Sequence, residues 1–287
     1  MDMKKNTLGF DRSLVLLVPA TMFLLMVFIY PFLYGLVLSF EPHEGGAFAN
    51  YIEFFKRRDL YGTISTTLKL ALPATIFNVG LALPIAFAMR KKSRYQRIIT
   101  TILVIPICLG TVLIAEGMLT YFGPKGWFIQ AMRLFAPGMD LRLTHNFASV
   151  IISLVISGFP FVFLLVLSYI TGIDPALPRA AATLGASPWE QFRRIYLPLL
   201  TPGLAMAFCL AFVQAFSVYP SAVLLGSPAG PTRVISIAAY EEAFERYNFP
   251  LASAVAMIMG LVQLIIVAIV LWARGFLYRG PVTGGKG

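Results

Sequence analysis

Residues 147–171 read FASVIISLVISGFPFVFLLVLSYIT, a long run without a charged side chain. A helix needs about 20 consecutive apolar residues to cross the hydrocarbon core of a bilayer, so this run predicts a membrane-spanning helix. The whole chain of 287 residues shares the bias, since hydrophobic residues make up 58% of it and charged residues 13%. Soluble domains carry about 25% charged residues. The composition therefore excludes a water-exposed globular domain of this size.

Similar apolar stretches lie on both sides of this run. The predicted spans are 13–40, 63–89, 98–122, 147–171, 196–225 and 250–273. The first is about twice as long as the roughly 7–15-residue apolar core of a signal peptide and lacks a small-residue cleavage site, so we interpret it as a retained helix. Because a helix satisfies all its backbone polar groups within one apolar segment, the sequence predicts an all-α integral membrane protein with six transmembrane helices.

The charges of the connecting segments predict the orientation of these helices. One set of segments, which comprises the N-terminus, 90–97, 172–195 and the C-terminal tail, contains 14 Lys and Arg residues, and the other set contains 8. Positive residues favour the cytoplasmic side, so both termini are predicted to be cytoplasmic. The expected organisation is a cytoplasmic N-terminus over 1–12, a six-helix membrane domain over 13–279 and a flexible cytoplasmic tail over 280–287.

The distribution of functional groups excludes several classes of protein. The net charge of +10 sits in short loops between apolar runs, which does not provide the basic solvated face of a nucleic-acid-binding protein. No Walker-type phosphate loop is visible, so the chain is not expected to hydrolyse ATP itself. No catalytic set and no metal-ligand spacing stands out, so no catalytic residue, cofactor or metal is expected on this chain.

The segment after the fourth span is the most amphipathic cytoplasmic part of the chain. Residues 173–203 read IDPALPRAAATLGASPWEQFRRIYLPLLTPG. Asp174 is suited to cap a short helix, with Pro175 at its first position. Gly185 then permits a sharp change of direction that a residue with a Cβ would resist.

A second short helix is predicted beyond this glycine. Ser187 is suited to cap it, and Glu190 stands three residues later in the spacing of a capping box. The sequence therefore predicts a helix–glycine–helix elbow over 173–198, lying against the inner face of the membrane. Its small residues favour docking into a groove on a partner protein. An amphipathic element that rests on lipid headgroups is the alternative.

The elbow resembles the signature cytoplasmic loop of binding-protein-dependent ABC importer permeases. That pattern is Glu-Ala-Ala, three residues, Gly, nine residues and Ile-x-Leu-Pro, and it is matched at the correct spacing by Ala180, Ala181, Gly185, Ile195, Leu197 and Pro198. Arg179 stands where the family has an acidic residue. The chain as a whole resembles the spermidine/putrescine and iron(III)-type branch of the family, with this loop between the fourth and fifth helices.

The resemblance implies a type I ABC importer permease subunit in a bacterial inner membrane, forming half of a pathway that works by alternating access. The implied partners are a second homologous permease subunit, a dimer of cytoplasmic ATPase subunits that holds ATP and Mg, a periplasmic substrate-binding protein and the lipid bilayer. The elbow would be the coupling helix. The residues implied in contact with the ATPase are Arg179, Ala180, Ala181, Leu184, Gly185, Ala186, Ser187, Pro188, Ile195, Leu197 and Pro198.

Polar side chains inside the predicted spans are candidates for the translocation pathway. Glu116 is the only acidic residue within a predicted span, and an ionisable group there is a functional candidate unless it lies near the outer interface. Hydrogen bonding between helices is the other explanation for such groups. The remaining candidates are Asn78, Gln214, Ser217 and Tyr219.

The cargo is less closely constrained than the fold. The outer loop 226–249 carries three glutamates, and it resembles the periplasmic segment that receives the loaded binding protein; a solvated charged loop is the alternative. Acidic lining would suit a small cationic solute such as a polyamine, and iron(III), phosphonates, opines and amino-acid-like solutes are alternatives. A secondary, ion-coupled transporter is the alternative function, but it would need more intramembrane charges than this chain offers.

Overall fold

The computed structural model describes residues 12–42, 45–91, 94–135 and 144–277. The predicted N-terminal segment, up to residue 11, and the predicted tail 280–287 lie outside the described residues. All regular structure within the described residues is helical. The helices are α1 (Arg12–Leu24), α2 (Tyr30–Ser39), α3 (Ala49–Lys56), α4 (Arg58–Ala88), α5 (Arg94–Phe122), α6 (Trp127–Phe135), α7 (Phe147–Thr171), α8 (Ala176–Thr183), α9 (Pro188–Gln191), α10 (Leu197–Phe216), α11 (Pro220–Leu224), α12 (Ile235–Tyr240) and α13 (Phe249–Leu277).

Short π-helical turns join several of these elements into longer rods. They cover Leu25–Ile29, Phe192–Tyr196 and Glu241–Glu245. When helices joined by a π turn are counted as one, 6 helices are long and apolar enough to cross a membrane. This confirms the all-α architecture with six transmembrane helices and an elbow between the fourth and fifth. The spans are Leu17–Ser39, Arg58–Ala88, Arg94–Arg133, Phe147–Thr171, Pro188–Phe216 and Phe249–Phe276.

The predicted fifth span, 196–225, is too long at its outer end. Helix α10 stops at Phe216, and the short helix α11 begins only at Pro220. Proline has no N–H to continue a helix and disfavours helical geometry in the residue before it. Tyr219 accordingly has φ −131° and ψ −60°, so the chain breaks its helix at this point.

The third span is kinked rather than straight. Gly110 has φ 71° and ψ 170° in the middle of α5, a conformation that a residue with a Cβ rarely adopts. Pro106 lies one turn earlier and also weakens the helical hydrogen bonding. The outer half of α5 therefore takes a different direction from its inner half.

Helix α7 lies at the centre of the bundle. It packs against α4, α5, α10 and α11, and half of its apolar window is buried, whereas none of the first span's window is. The first span touches the rest of the protein through the packing of α2 on α13. Its outward side chains, such as Met26 and Phe28, are exposed, which suits a surface that faces lipid.

The contact between α7 and α10 depends on a buried glycine. A Cβ added at Gly203 would lie 2.5 Å from Cγ of Tyr169. Small residues commonly allow such close approach between membrane helices. The position of α10 against the central helix is therefore set by the absence of a side chain at this position.

We expect Gly203→Ala to lower the free energy of unfolding by about 1–3 kcal/mol, because the added Cβ overlaps the ring of Tyr169, which must leave its present position. Gly260→Ala in α13 is the matched control, since a Cβ there meets no atom within 4 Å, and it should change stability by less than about 1 kcal/mol. Thermal loss of helicity in one detergent measures both. Equal midpoints for the two variants would contradict the close α7–α10 contact.

Candidate functional site

The first half of the elbow is a short helix with defined ends. The side chain of Asp174 accepts a hydrogen bond from the backbone N–H of Ala176 at 2.8 Å, as the predicted cap would. Helix α8 itself begins at Ala176, one residue later than the sequence suggested. At the other end, the N–H of Ala186 donates to the carbonyl of Ala181 at 3.0 Å, and the N–H of Gly185 donates to Ala182 at 3.0 Å. This is the Schellman arrangement, which requires a left-handed residue after the helix.

Gly185 supplies that left-handed residue, with φ +87°. No atom lies within 4 Å of the position where a Cβ would stand. The glycine is therefore required by the backbone conformation and not by lack of space in this chain. The predicted turn at this position is confirmed, and the space outside it is open.

The second half of the elbow begins with the predicted capping box. The N–H of Glu190 donates to Oγ of Ser187 at 3.3 Å, and the N–H of Ser187 donates to the Glu190 carboxylate at 2.9 Å. Because α9 runs through a π turn directly into α10, this half of the elbow is continuous with the fifth span.

An aromatic cluster ties the elbow to the inner end of α4. The ring of Phe192 lies 4.7 Å from that of Phe87, and Tyr196 lies 5.1 Å from Phe87. Trp189 stacks on Phe192 at 5.5 Å. Aromatic pairs at these separations add to the stability gained by burial. A displacement of the elbow is therefore resisted by both α4 and α10.

The elbow residues fall into three groups by exposure. Leu184 is 88% exposed at the turn. The other exposed residues of the elbow tip are Ala180, Gly185, Ser187 and Pro188, whereas Ala181 and Ala186 are half-buried. Ile195, Leu197 and Pro198 lie in the π turn and the first turn of α10, away from the tip. Arg179 is exposed as well, and it also lines a cavity within this chain.

Four of the five predicted pathway residues come together in the middle of the bundle. Asn78, Gln214, Ser217 and Tyr219 line one cavity of about 50 Å³. Glu116 is exposed and does not line this cavity. Among the described residues that line it, all are uncharged. Ser217 also accepts a hydrogen bond from Gln263 of α13 at 2.8 Å.

Asn78 is the most informative group in this cavity. It is 2% exposed, and its Nδ2 donates to the carbonyl of Leu154 at 3.4 Å. Its Oδ1 is buried and has no hydrogen-bond partner. A buried acceptor without a partner is costly, so a water or solute that enters the cavity gains a hydrogen bond there. Gly158 makes room for this side chain, since a Cβ there would lie 2.5 Å from Nδ2.

A row of serines on α7 belongs to the same polar region. Ser149 donates to the carbonyl of Leu225 at 2.8 Å, Ser153 bonds to Ser221 at 2.9 Å, and Ser157 lines the cavity. Ser157 and Thr111 also line an adjoining cavity of about 320 Å³. The sequence interpretation missed these residues. Their spacing of four, which places them on one helix face, was the available signal.

Ion pairs connect the outer segments, and one of them includes a buried glutamate. Glu242 is 1% exposed and lies 3.0 Å from Arg57, and it also pairs with Arg246. Arg233 pairs with Glu241 and donates to the carbonyl of Asp59 at 2.9 Å. The charged loop is therefore solvated only in part, since Glu242 is buried whereas Glu245 is exposed.

These ion pairs, which we term the outer clasp, hold residues 57–59, at the start of α4, to residues 233–246. Its hydrogen bond to Asp59, together with the charge of Glu242, raises the pKa of Arg57 above its usual value. The guanidinium thus stays charged. The partners were not predictable from the sequence, because they lie far apart along the chain and no spacing pattern connects them.

Comparisons with known proteins agree with this arrangement. The profile of the family described as "Binding-protein-dependent transport system inner membrane component" matches residues 62–280, more than half of the chain. The spermidine/putrescine transport system permease protein PotB of Haemophilus influenzae is 30% identical over 264 residues, covering 88% of this chain and 89% of that protein. The sulfate transport system permease protein CysT of Escherichia coli is 24% identical over 215 residues, covering 74% and 76%.

Solved structures show the same fold. A chain from a bacterial alginate ABC transporter, in complex with an alginate pentasaccharide-bound periplasmic protein, aligns with a TM-score of 0.81 at 22% identity. The alignment covers 95% of this chain and 97% of that one. The six-helix arrangement described above is therefore shared with a transporter subunit over its whole length.

We expect Glu242→Ala to lower the free energy of unfolding by about 1–3 kcal/mol, because it leaves Arg57 and Arg246 without their buried counter-ion. Glu53→Ala is the control, since Glu53 is 45% exposed and lies 3.4 Å from Arg57, and it should cost less than about 1 kcal/mol. Thermal unfolding in detergent measures both. In a double-mutant cycle, Arg57→Ala should cost less when Glu242 is already absent; strict additivity would contradict the pairing.

Proposed function

This chain belongs to the family of binding-protein-dependent transport system inner membrane components, and from that premise we propose that it is the permease subunit of a bacterial ATP-binding-cassette importer. The chain is a multi-pass protein of the inner membrane. The observation that carries the proposal is the elbow, with its Schellman turn at Gly185 and its capping box at Ser187. A rigid, exposed turn of this kind suits insertion into a cleft on a partner protein.

The partner at the elbow is a cytoplasmic ATPase dimer, which supplies the hydrolysis of ATP and holds its Mg. Closure of the dimer moves the elbow. Since the elbow is continuous with α10 and packs on Phe87 of α4, the movement reaches both helices. Asn78 of α4 and Gln214 of α10 face the central cavity, so a relative shift of these helices changes the pathway directly. Such a chain of packed elements is a physical route for coupling.

The other partners are a second homologous permease and a periplasmic binding protein. The central cavity of about 50 Å³ is too small for most solutes, so this chain provides one wall of a pathway whose other half comes from the second subunit. The outer clasp holds the periplasmic loops in a fixed arrangement. That fixed surface is suited to receive the loaded binding protein.

The cargo we propose is a small polar solute. The described residues that line the two central cavities carry no charge, so the pathway offers hydrogen bonds and selects neither sign of charge. The relatives fit this reasoning, because one is named for sulfate, an anion, and another for spermidine and putrescine, which are cations. A polyamine is the more specific proposal, supported by the similarity to PotB; discrimination between solutes then rests with the binding protein.

The alternative of an ion-coupled transporter gains no support from the position of the charges. Glu116 and Lys69 are both exposed, and neither lines the central cavities. Ion-coupled transporters usually place ionisable side chains on the substrate route. The free energy for transport is accordingly assigned to ATP hydrolysis by the ATPase partner.

The role of the elbow is tested by two substitutions at one position. We expect Gly185→Trp to abolish ATP-dependent uptake while the chain still inserts, because the indole projects into the open space where the ATPase docks. Gly185→Asn should retain most uptake, since asparagine tolerates a positive φ. Uptake into proteoliposomes that contain the whole complex measures both. Full uptake by Gly185→Trp, or uptake by the chain alone without ATP, would contradict the proposal.

The role of the central cavity is tested at Asn78. We expect Asn78→Leu to lower the uptake rate by about tenfold, because the polar acceptor is replaced by an apolar side chain. Thr75→Val is the matched control, since the Thr75 hydroxyl bonds only to the carbonyl of Ala71 in its own helix at 2.7 Å, and uptake should be unchanged. ATPase activity of both complexes confirms assembly. Equal uptake by both variants would remove Asn78 from the pathway.

A further inference from the structure

A second polar cavity lies at the inner end of the bundle, beside the elbow. Its volume is about 660 Å³. It lies between the residues just after α4, the inner end of α7, α8 and the π turn that precedes α10. Three cations line it, namely Arg90, Lys91 and Arg179. We term this cavity the basic pocket.

The cations of the basic pocket are not paired with a carboxylate in the part of the chain that the structure describes. Among the described residues, no carboxylate lies within 4 Å of the charged nitrogens of Arg90, Lys91 or Arg179. The outer clasp is the opposite case, because there each arginine is paired. Like charges around one cavity repel each other, so a bound anion would lower the electrostatic energy of this region.

Arg90 is held in place for such an anion. Its Nη1 donates to the carbonyl of Phe87 at 2.8 Å. Its guanidinium carbon lies 4.0 Å from the centre of the Phe87 ring and 5.7 Å from that of Tyr196. Cation–π contacts and a backbone acceptor thus fix one side of the guanidinium. The remaining donors form a fork that matches the geometry of a phosphate.

Arg179 is exposed, and it lies on the side of α8 that lines this pocket. Pro175, Pro178, Arg179 and Ala182 line the pocket, and their spacing of three and four places them on one side of the helix. Leu177, Ala180 and Leu184 are exposed and lie on the other side. Arg179 therefore lies on a different side of α8 from the residues proposed to contact the ATPase.

The walls of the basic pocket identify the kind of anion. Ile170 and Ile173 lie at the inner end of the α7 span, and Tyr196 lies at the start of α10. These side chains add an apolar wall at the level where membrane helices end, which is the level of the lipid headgroups. Basic pockets between spans on the cytoplasmic side commonly bind anionic headgroups.

We infer that the basic pocket binds the phosphate of an anionic phospholipid, with Arg90, Lys91 and Arg179 as its ligands. The headgroup phosphate accepts hydrogen bonds from the two guanidinium groups, and the glycerol lies against Ile173, the half-buried member of the apolar wall. The bound lipid fixes α8 to the ends of α4 and α7. The elbow would then be positioned by membrane composition, independently of what docks on its exposed face.

The test is native mass spectrometry of the full-length chain in detergent, titrated with phosphatidylglycerol or with phosphatidylcholine of the same acyl chains. The wild type should retain phosphatidylglycerol in preference. Arg179→Glu should weaken that binding by about 30-fold. The substitution removes one of the three cations, and the new carboxylate neutralises a second one. Arg179→Lys should keep most of the binding, because it preserves the charge.

Arg193→Glu is the matched control, because Arg193 is an exposed cation of the same elbow that does not line the pocket. Its phosphatidylglycerol binding should equal that of the wild type. Equal binding by the wild type and Arg179→Glu would overturn the inference, as would an equal loss in Arg193→Glu. Displacement of the lipid by soluble glycerol 3-phosphate would assign the pocket to a free phosphate instead.

A wild type without preference for phosphatidylglycerol would also overturn the lipid assignment and leave an acidic segment of a protein partner as the occupant. The measurement needs no ATPase and no transport. Its failure is therefore distinguishable from failure of the proposed importer function. Circular dichroism of each variant shows whether the fold is retained.

Discussion

The need to pair every backbone N–H and C=O within hydrocarbon governs the whole molecule. An unpaired peptide group there costs several kcal/mol, so continuous helices are the default. The departures from helical geometry are accordingly informative. Gly110 on α5 and residues 217–219 after α10 break their helices, and both breaks adjoin the central cavities. Irregular backbone is tolerated in a membrane where it lines such a polar cavity.

Helix α4 connects the three polar regions of the protein. At its outer end, Arg57 and Asp59 belong to the outer clasp. In its middle, Asn78 presents an unpaired acceptor to the central cavity. At its inner end, Phe87 packs on the elbow and orients Arg90 beside the basic pocket. Helix α4 therefore connects the elbow with the central cavity and with the outer clasp.

The three regions differ in whether they contain charged side chains and whether those charges are paired within the protein. The outer clasp pairs its charges internally, and one of them is almost fully buried. The described lining of the central cavities has no charge. The basic pocket has cations without carboxylate partners among the described residues. Of these three regions, the inner one therefore offers unpaired charge to a ligand, which is the basis of the proposed lipid site.

The sequence by itself determined the helices and the elbow, because both depend on local rules. Residues 147–171 span a membrane by length and lack of charge, and Gly185 and Ser187 define the elbow through backbone conformation and capping. Only the tertiary structure decided which polar groups meet. It placed Asn78 and Gln214 in the lining of one cavity and left Glu116 out of that lining. It also paired Arg57 with Glu242 and placed Arg179 in the lining of the basic pocket. Those outcomes depend on how distant helices pack and rotate, which no local pattern records.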